Sequence, residues 1–134
     1  MRTARATIEI TQSDARPYDT EADGAAMSQV AVAKTFSGDL VGTSTARLLT
    51  AATEGTDGAG YVASERFTGR LGDREGSFVL QHGGLAGGGQ EPRSFGSVIP
   101  HSGTGSFLGL TGTCEFAHDE QGARITLTYD LIGG

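Results

Sequence analysis

The sequence has no tryptophan, one cysteine (Cys114), one lysine (Lys34) and three prolines in 134 residues. The single cysteine excludes an internal disulfide framework, and with it the disulfide-stapled secreted folds. The longest apolar runs, such as Val30-Ala31-Val32-Ala33, fall far short of the roughly 18–20 residues of a membrane helix. The start, MRTARATIEITQ, lacks the apolar stretch of a secretory signal. These absences lead to an expected cytoplasmic location, without membrane association. Ten basic residues face sixteen acidic ones, for a net charge of −6. The nine arginines are scattered, so no clustered cationic surface is available to displace counterions from a nucleic acid, and none is expected as a partner.

Glycine, by contrast, is abundant: 22 residues, about 16% against an average near 7%. Helical periodicity is hard to find, whereas period-two alternation recurs and glycine-rich turns interrupt it about every 10 residues. The pattern predicts eight strands: Thr3–Thr11, Met27–Ser37, Leu40–Ala51, Gly60–Leu71, Gly76–Gly83, Arg93–His101, Leu110–His118 and Ala123–Leu131. Turns are expected at Ser37-Gly38-Asp39, Gly72–Glu75 and Asp119–Gly122. Gln12–Ala26 reads as a crossing segment or lid and Gly84–Pro92 as a mobile loop. Neither interrupts the strand pattern, so residues 1–134 are expected to form one domain. The near-repeat of Phe36-Ser-Gly-Asp-Leu40 in Phe67-Thr-Gly-Arg-Leu71 reflects similar strand ends rather than duplication.

Eight antiparallel strands, each wet on one face, bring their apolar faces together best in a closed barrel, which leaves no edge strand. The expected fold is therefore all-β, an eight-stranded antiparallel up-and-down barrel, with a sandwich as the alternative. Placing Asp73-Arg74 at the turn of the fourth hairpin opposes Phe67 to Leu80, Gly69 to Phe78 and Glu65 to His82, with Tyr61 and Ala63 on the same inner face. In the last hairpin Phe116 faces Ile125 and Cys114 faces Leu127, with Tyr129 and Leu131 continuing that face.

A barrel of eight strands is just wide enough to be filled by side chains or to hold one small ligand. The candidate lumen residues are Tyr61, Phe67, Phe78, Leu80, Cys114, Phe116 and Tyr129. Glu65 and His82 are the candidate catalytic pair. A carboxylate beside an imidazole in apolar surroundings suits proton transfer, because burial and the imidazole charge pull the carboxyl pKa in opposite directions. The same pair would also serve as a satisfied buried pair that only fixes register. Cys114 is expected to be inert in an apolar setting. Lys34 lies on a strand with poor alternation and is taken as exposed; a Schiff-base role would need burial. The histidines His82, His101 and His118 lack the close spacing of a zinc site, and no metal or other cofactor is expected. Walker, dinucleotide, serine-elbow and HExxH motifs are absent.

Four segments carry a resemblance: KTFSGDL at 34–40, Glu65-Arg66, GSFVLQHG at 76–83 and SGTGSFLGLTG at 102–112. In order, over about residues 3–131, they resemble a bacterial domain-of-unknown-function family grouped with the allene oxide cyclase-like barrels, which include the dirigent proteins. The resemblance implies the same eight-stranded barrel and no particular reaction. Three functions remain open: an isomerase or cyclase acting on a small hydrophobic metabolite, a barrel that binds such a molecule unchanged, and a filled barrel serving in interaction or assembly. Self-association is open in all three.

Overall fold

In the computed structural model, residues 1–20, 23–53 and 58–131 are described. They form eight strands: β1 (Arg2–Thr20), β2 (Ala26–Gly38), β3 (Leu40–Ala52), β4 (Gly58–Leu71), β5 (Arg74–Gly87), β6 (Gln90–Val98), β7 (Leu110–Asp119) and β8 (Gly122–Leu131). Each pairs antiparallel with its neighbours, and β8 closes on β1 to complete a barrel in sequence order. Among the described residues no helix is long and apolar enough to cross a membrane.

The strands are longer than the alternation suggests. β1 continues to Thr20 and pairs with β2 as far as Thr20–Ala26, where a crossing segment or a lid was expected; residues 21 and 22 of that stretch lie outside the described residues. β8 pairs only with Arg2–Ile8 of β1. Beyond that point one side of β1 has no ladder, which is why Pro17, with no N–H to give, is accommodated opposite Ser28. Residues 9–17 are exposed on both faces, so no alternation marks them as strand. The expected loop Gly84–Pro92 is likewise mostly strand. β5 runs to Gly87, β6 starts at Gln90, and Gly88-Gly89 form the turn at φ 67° and 72°, the twin left-handed geometry of a type I′ hairpin. β6 in turn ends at Val98, three residues earlier than expected, and His101 lies in the following loop at φ 66°.

The fourth hairpin also differs from expectation. Its turn is Gly72-Asp73, with Leu71 paired to Arg74 and Gly72 at φ 65°, as in a two-residue hairpin with glycine first. Glu65 therefore opposes Leu80, Phe67 opposes Phe78 and Ala63 opposes His82. The pairing is displaced by two residues, an even number, so every side chain keeps its expected face. Glu65 and His82 become diagonal rather than direct neighbours. The last hairpin has the expected register, Phe116 with Ile125 and Cys114 with Leu127.

The two ends of the barrel differ. At one end the β6–β7 connection folds back under the sheet. Thr104 and Ser102 accept the backbone N–H groups of Ser77 and Val79 at 3.0 Å each, and the short 3-10 turn Gly105–Phe107 drives Phe107 inside, where it is 0% exposed. Phe36, Phe67, Phe78 and Phe107 stack in sequence at centroid separations of 5.1–5.3 Å. With Leu40, Leu80, Leu110, Ile125 and Leu127 they make the packed core of this half. Among the described residues, the other half, towards the β1–β2, β3–β4, β5–β6 and β7–β8 turns, holds a cavity in place of such packing.

Candidate functional site

The boundary between the packed half and the cavity is polar. Glu65 on β4 is fully buried. Its Oε1 accepts hydrogen bonds from Lys34 Nζ at 2.9 Å and from His82 Nε2 at 2.7 Å, and its Oε2 accepts one from Ser44 Oγ at 2.6 Å. The donors come from β2, β5 and β3. Tyr61 Oη lies 3.0 Å from the remaining imidazole nitrogen, His82 Nδ1. The ring of Phe116, from β7, lies against the imidazole at a centroid distance of 4.2 Å and beneath Lys34 Nζ at 4.9 Å.

Lys34 thus points inward, contrary to the expectation of exposure. The parity of β2 is set by Phe36 and Val32, both buried, and Lys34 falls between them. Ser44, which no sequence signal singled out, is buried by the same logic between Leu40 and Ala46 on β3. A small polar side chain at an inward position facing a strand with a buried carboxylate is the one sign that could have found it.

Burial pushes the Glu65 carboxyl upward, but the His82 bond, the Lys34 charge and the Ser44 bond outweigh it and hold the group below its ordinary range. An ionised carboxylate only accepts, so His82 donates through Nε2–H. In neutral His82 the other nitrogen, Nδ1, then accepts the Tyr61 hydroxyl proton. The tyrosinate form is disfavoured: burial and the nearby Glu65 charge raise the Tyr61 pKa. Burial, followed by the Glu65 charge, also pushes the Cys114 thiol up to about 12, the inert state expected of it.

Above this floor lies a cavity of about 550 Å³. Ile8, Ile10 and Phe116 form its apolar wall, Lys34 and Tyr61 reach it from the floor, and Arg93, His118, Ala123 and Arg124 stand near the mouth. Of the candidate lumen residues, Tyr61 and Phe116 line this cavity. Phe67, Phe78, Leu80, Cys114 and Tyr129 point inward but belong to the packed core. Glu65 and His82, with side chains 0% and 2% exposed, lie behind the cavity surface. The three histidines do not converge: His82 is buried, His101 is exposed in the β6–β7 connection, and His118 is at the mouth. Among the described residues no cluster of three histidine, cysteine or carboxylate side chains is placed to hold a metal ion.

The model of a family described as "Protein of unknown function (DUF3224)" matches residues 4–131. The chain belongs to the DUF3224 family. A crystal structure of a DUF3224 protein of unknown function from Shewanella oneidensis MR-1 is similar to it, with 31% identity, 98% of each chain covered and a TM-score of 0.79. No curated protein matches the chain. The DUF3224 match spans every strand from β1 to β8, and so includes both the packed half and the polar floor.

Proposed function

We propose that this DUF3224 barrel binds a small, mostly apolar molecule in its cavity and isomerises or cyclises it by moving a proton. The observation that carries the reading is the placement of one hydrogen-bonded cluster, Tyr61–His82–Glu65–Lys34, at the floor of an apolar-walled cavity. Ligand sites characteristically combine apolar walls with a few fixed polar groups. A buried acid–base chain facing such a pocket is the arrangement that proton transfer uses. Lys34 and Tyr61 favour a ligand with an oxygen-bearing end directed at the floor.

The experiment uses 8-anilinonaphthalene-1-sulfonate, an apolar fluorophore with an anionic end. One saturable site is expected, and Ala123→Trp, which places an indole at the cavity mouth, is expected to abolish it with an unchanged circular dichroism spectrum. Absence of saturable binding, or equal binding by Ala123→Trp, overturns the reading. Mass spectrometry of small molecules released from protein purified without detergent then identifies the natural ligand.

A second reading, an interaction barrel, draws support from the outer surface. Leu49 and Val62 are paired neighbours, Val62 pairs with Gly83, and Gly83 pairs with Phe95. The three large side chains are each more than half exposed and form an apolar stripe across β3, β4 and β6. Sedimentation equilibrium tests it: a monomer at tens of micromolar removes self-association from consideration.

A further inference from the structure

Glu65 and His82 are enclosed, and their side-chain polar atoms are occupied by protein partners. Tyr61 is different. It is half-buried, lines the cavity and ends the chain of hydrogen bonds that begins at Glu65. Its ring packs over Gly84 on β5, where a Cβ would lie 3.0 Å from the ring edge. That fixes the ring, and with it the hydroxyl, against the cavity wall. With its own proton directed at His82 Nδ1, Tyr61 Oη presents lone pairs to whatever occupies the cavity. Lys34 presents the opposite character: Glu65 uses one of its three N–H donors, and Lys34 is among the residues that line the cavity.

We propose that Tyr61 is the catalytic residue that exchanges a proton with the bound molecule, and that this molecule is an enolisable aldehyde or ketone whose oxygen sits on Lys34; the inference rests on the cavity being the binding site. The step balances without a co-reactant. The C–H bond beside the carbonyl breaks and its proton passes to Tyr61 Oη, while the Tyr61 hydroxyl proton passes to His82 Nδ1. The electron pair moves onto the carbonyl oxygen as an enolate. Before the step the cluster holds Lys34 as a cation, Glu65 as an anion and His82 neutral. After it, imidazolium is paired with Glu65 and enolate with Lys34, so the site stays neutral overall. Return of the proton to another carbon completes an isomerisation, and return to the same carbon is exchange.

The transfer runs through His82 because a free tyrosinate is disfavoured here. It also requires His82 to be neutral at the start, with Nδ1 free to take the Tyr61 proton. The groups around that imidazole are Glu65 and Tyr61 from β4, Phe116 and Cys114 from β7, Gly96 from β6 and, through the shared carboxylate, Lys34 from β2.

The test uses 2-tetralone, a compact enolisable ketone, in deuterium oxide. Proton NMR follows loss of the signal beside the carbonyl, and displacement of the anilinonaphthalene probe reports binding separately. The wild-type protein is expected to bind 2-tetralone and to exchange its protons faster than buffer does. Tyr61→Phe is expected to bind it within a few-fold while exchange falls by about a hundredfold or more, the scale of a lost general base. His82→Gln should lose as much, and the double variant little further, because the two act as one unit. Exchange that survives Tyr61→Phe, or displacement of the probe without accelerated exchange, overturns the proposal while leaving binding intact. A probe that binds but is not displaced by 2-tetralone overturns the carbonyl class. Failure of the probe itself to bind overturns the binding reading on which the proposal rests.

Discussion

Lys34 and His82 bond the same oxygen of Glu65, although they come from β2 and β5 with two strands between them. A single carboxylate therefore ties four adjacent strands together, since Ser44 on β3 holds its second oxygen. Removing one partner from a buried ion pair costs far more than the pair contributes, because the other charge is left in a poorly polar setting.

Glu65→Gln leaves Lys34 without a counter-charge and is expected to cost about 3–5 kcal/mol. Adding Lys34→Met should restore part of that loss, making the double variant more stable than the single one. Urea unfolding of the three proteins measures the coupling directly. Additive losses would show that the two side chains do not share their environment.

Acid should weaken the fold through the same carboxylate. The folded-state pKa of Glu65 is lowered relative to about 4.3 for an unperturbed glutamate. Its contribution to stability is therefore fully present above that unfolded value and is lost as pH falls through the folded one. Glu65→Gln lacks this group. The gap in urea midpoint between wild type and variant should be wide at pH 7 and narrow progressively once the pH falls below about 4.3.

Cys114 should react slowly with N-ethylmaleimide at pH 7.5 in the native protein and rapidly in guanidinium chloride. The thiol is 2% exposed and its pKa is pushed up to about 12, so both access and thiolate are scarce. Peptide mass mapping over time gives the two rates, and comparable rates would place the sulfur outside the core.

Gly96 supplies the room that Cys114 and His82 occupy. A Cβ there would lie 2.5 Å from Cys114 Sγ and 2.8 Å from His82 Cβ. Gly96→Ala should cost about 1–3 kcal/mol by overpacking, and Cys114→Ala in the same chain should recover much of it. A thermal melt of each variant decides; no recovery would mean that His82 is the side chain displaced.

The face assignments were legible in the sequence because period-two alternation is robust to the errors made along the chain. Phe67, Phe78 and Leu80 mark the inner face so clearly that moving the turn by one position displaced the pairing by two residues and left every side chain on its proper side. The exact partner of Glu65 was not legible, because it depends on whether Arg74 stands in the turn or after it, and Gly72 at positive φ decides that. Lys34 and Ser44 were missed for a common reason. Each carries a polar group at an inward position, and polar residues at inward positions look like errors in the pattern until the carboxylate they serve is located. The outer part of β1 left no trace because hydrogen bonding to β2 holds it, with both faces wet.

One seam of the cylinder is bonded differently from the rest. Between β6 and β7 the described residues show one paired position, Ser97 with Thr113, and nearer the mouth the Ser94 hydroxyl takes the place of a backbone acceptor for the Phe116 N–H at 3.2 Å. Ser94 and Phe116 are also cavity wall. At this point one side-chain bond, worth a net ~1 kcal/mol, stands where the β4–β5 and β7–β8 pairs carry runs of ladder bonds. The seam between β6 and β7 is therefore the thinly laddered stretch of the wall, held there by side-chain packing and a serine hydroxyl more than by backbone pairing.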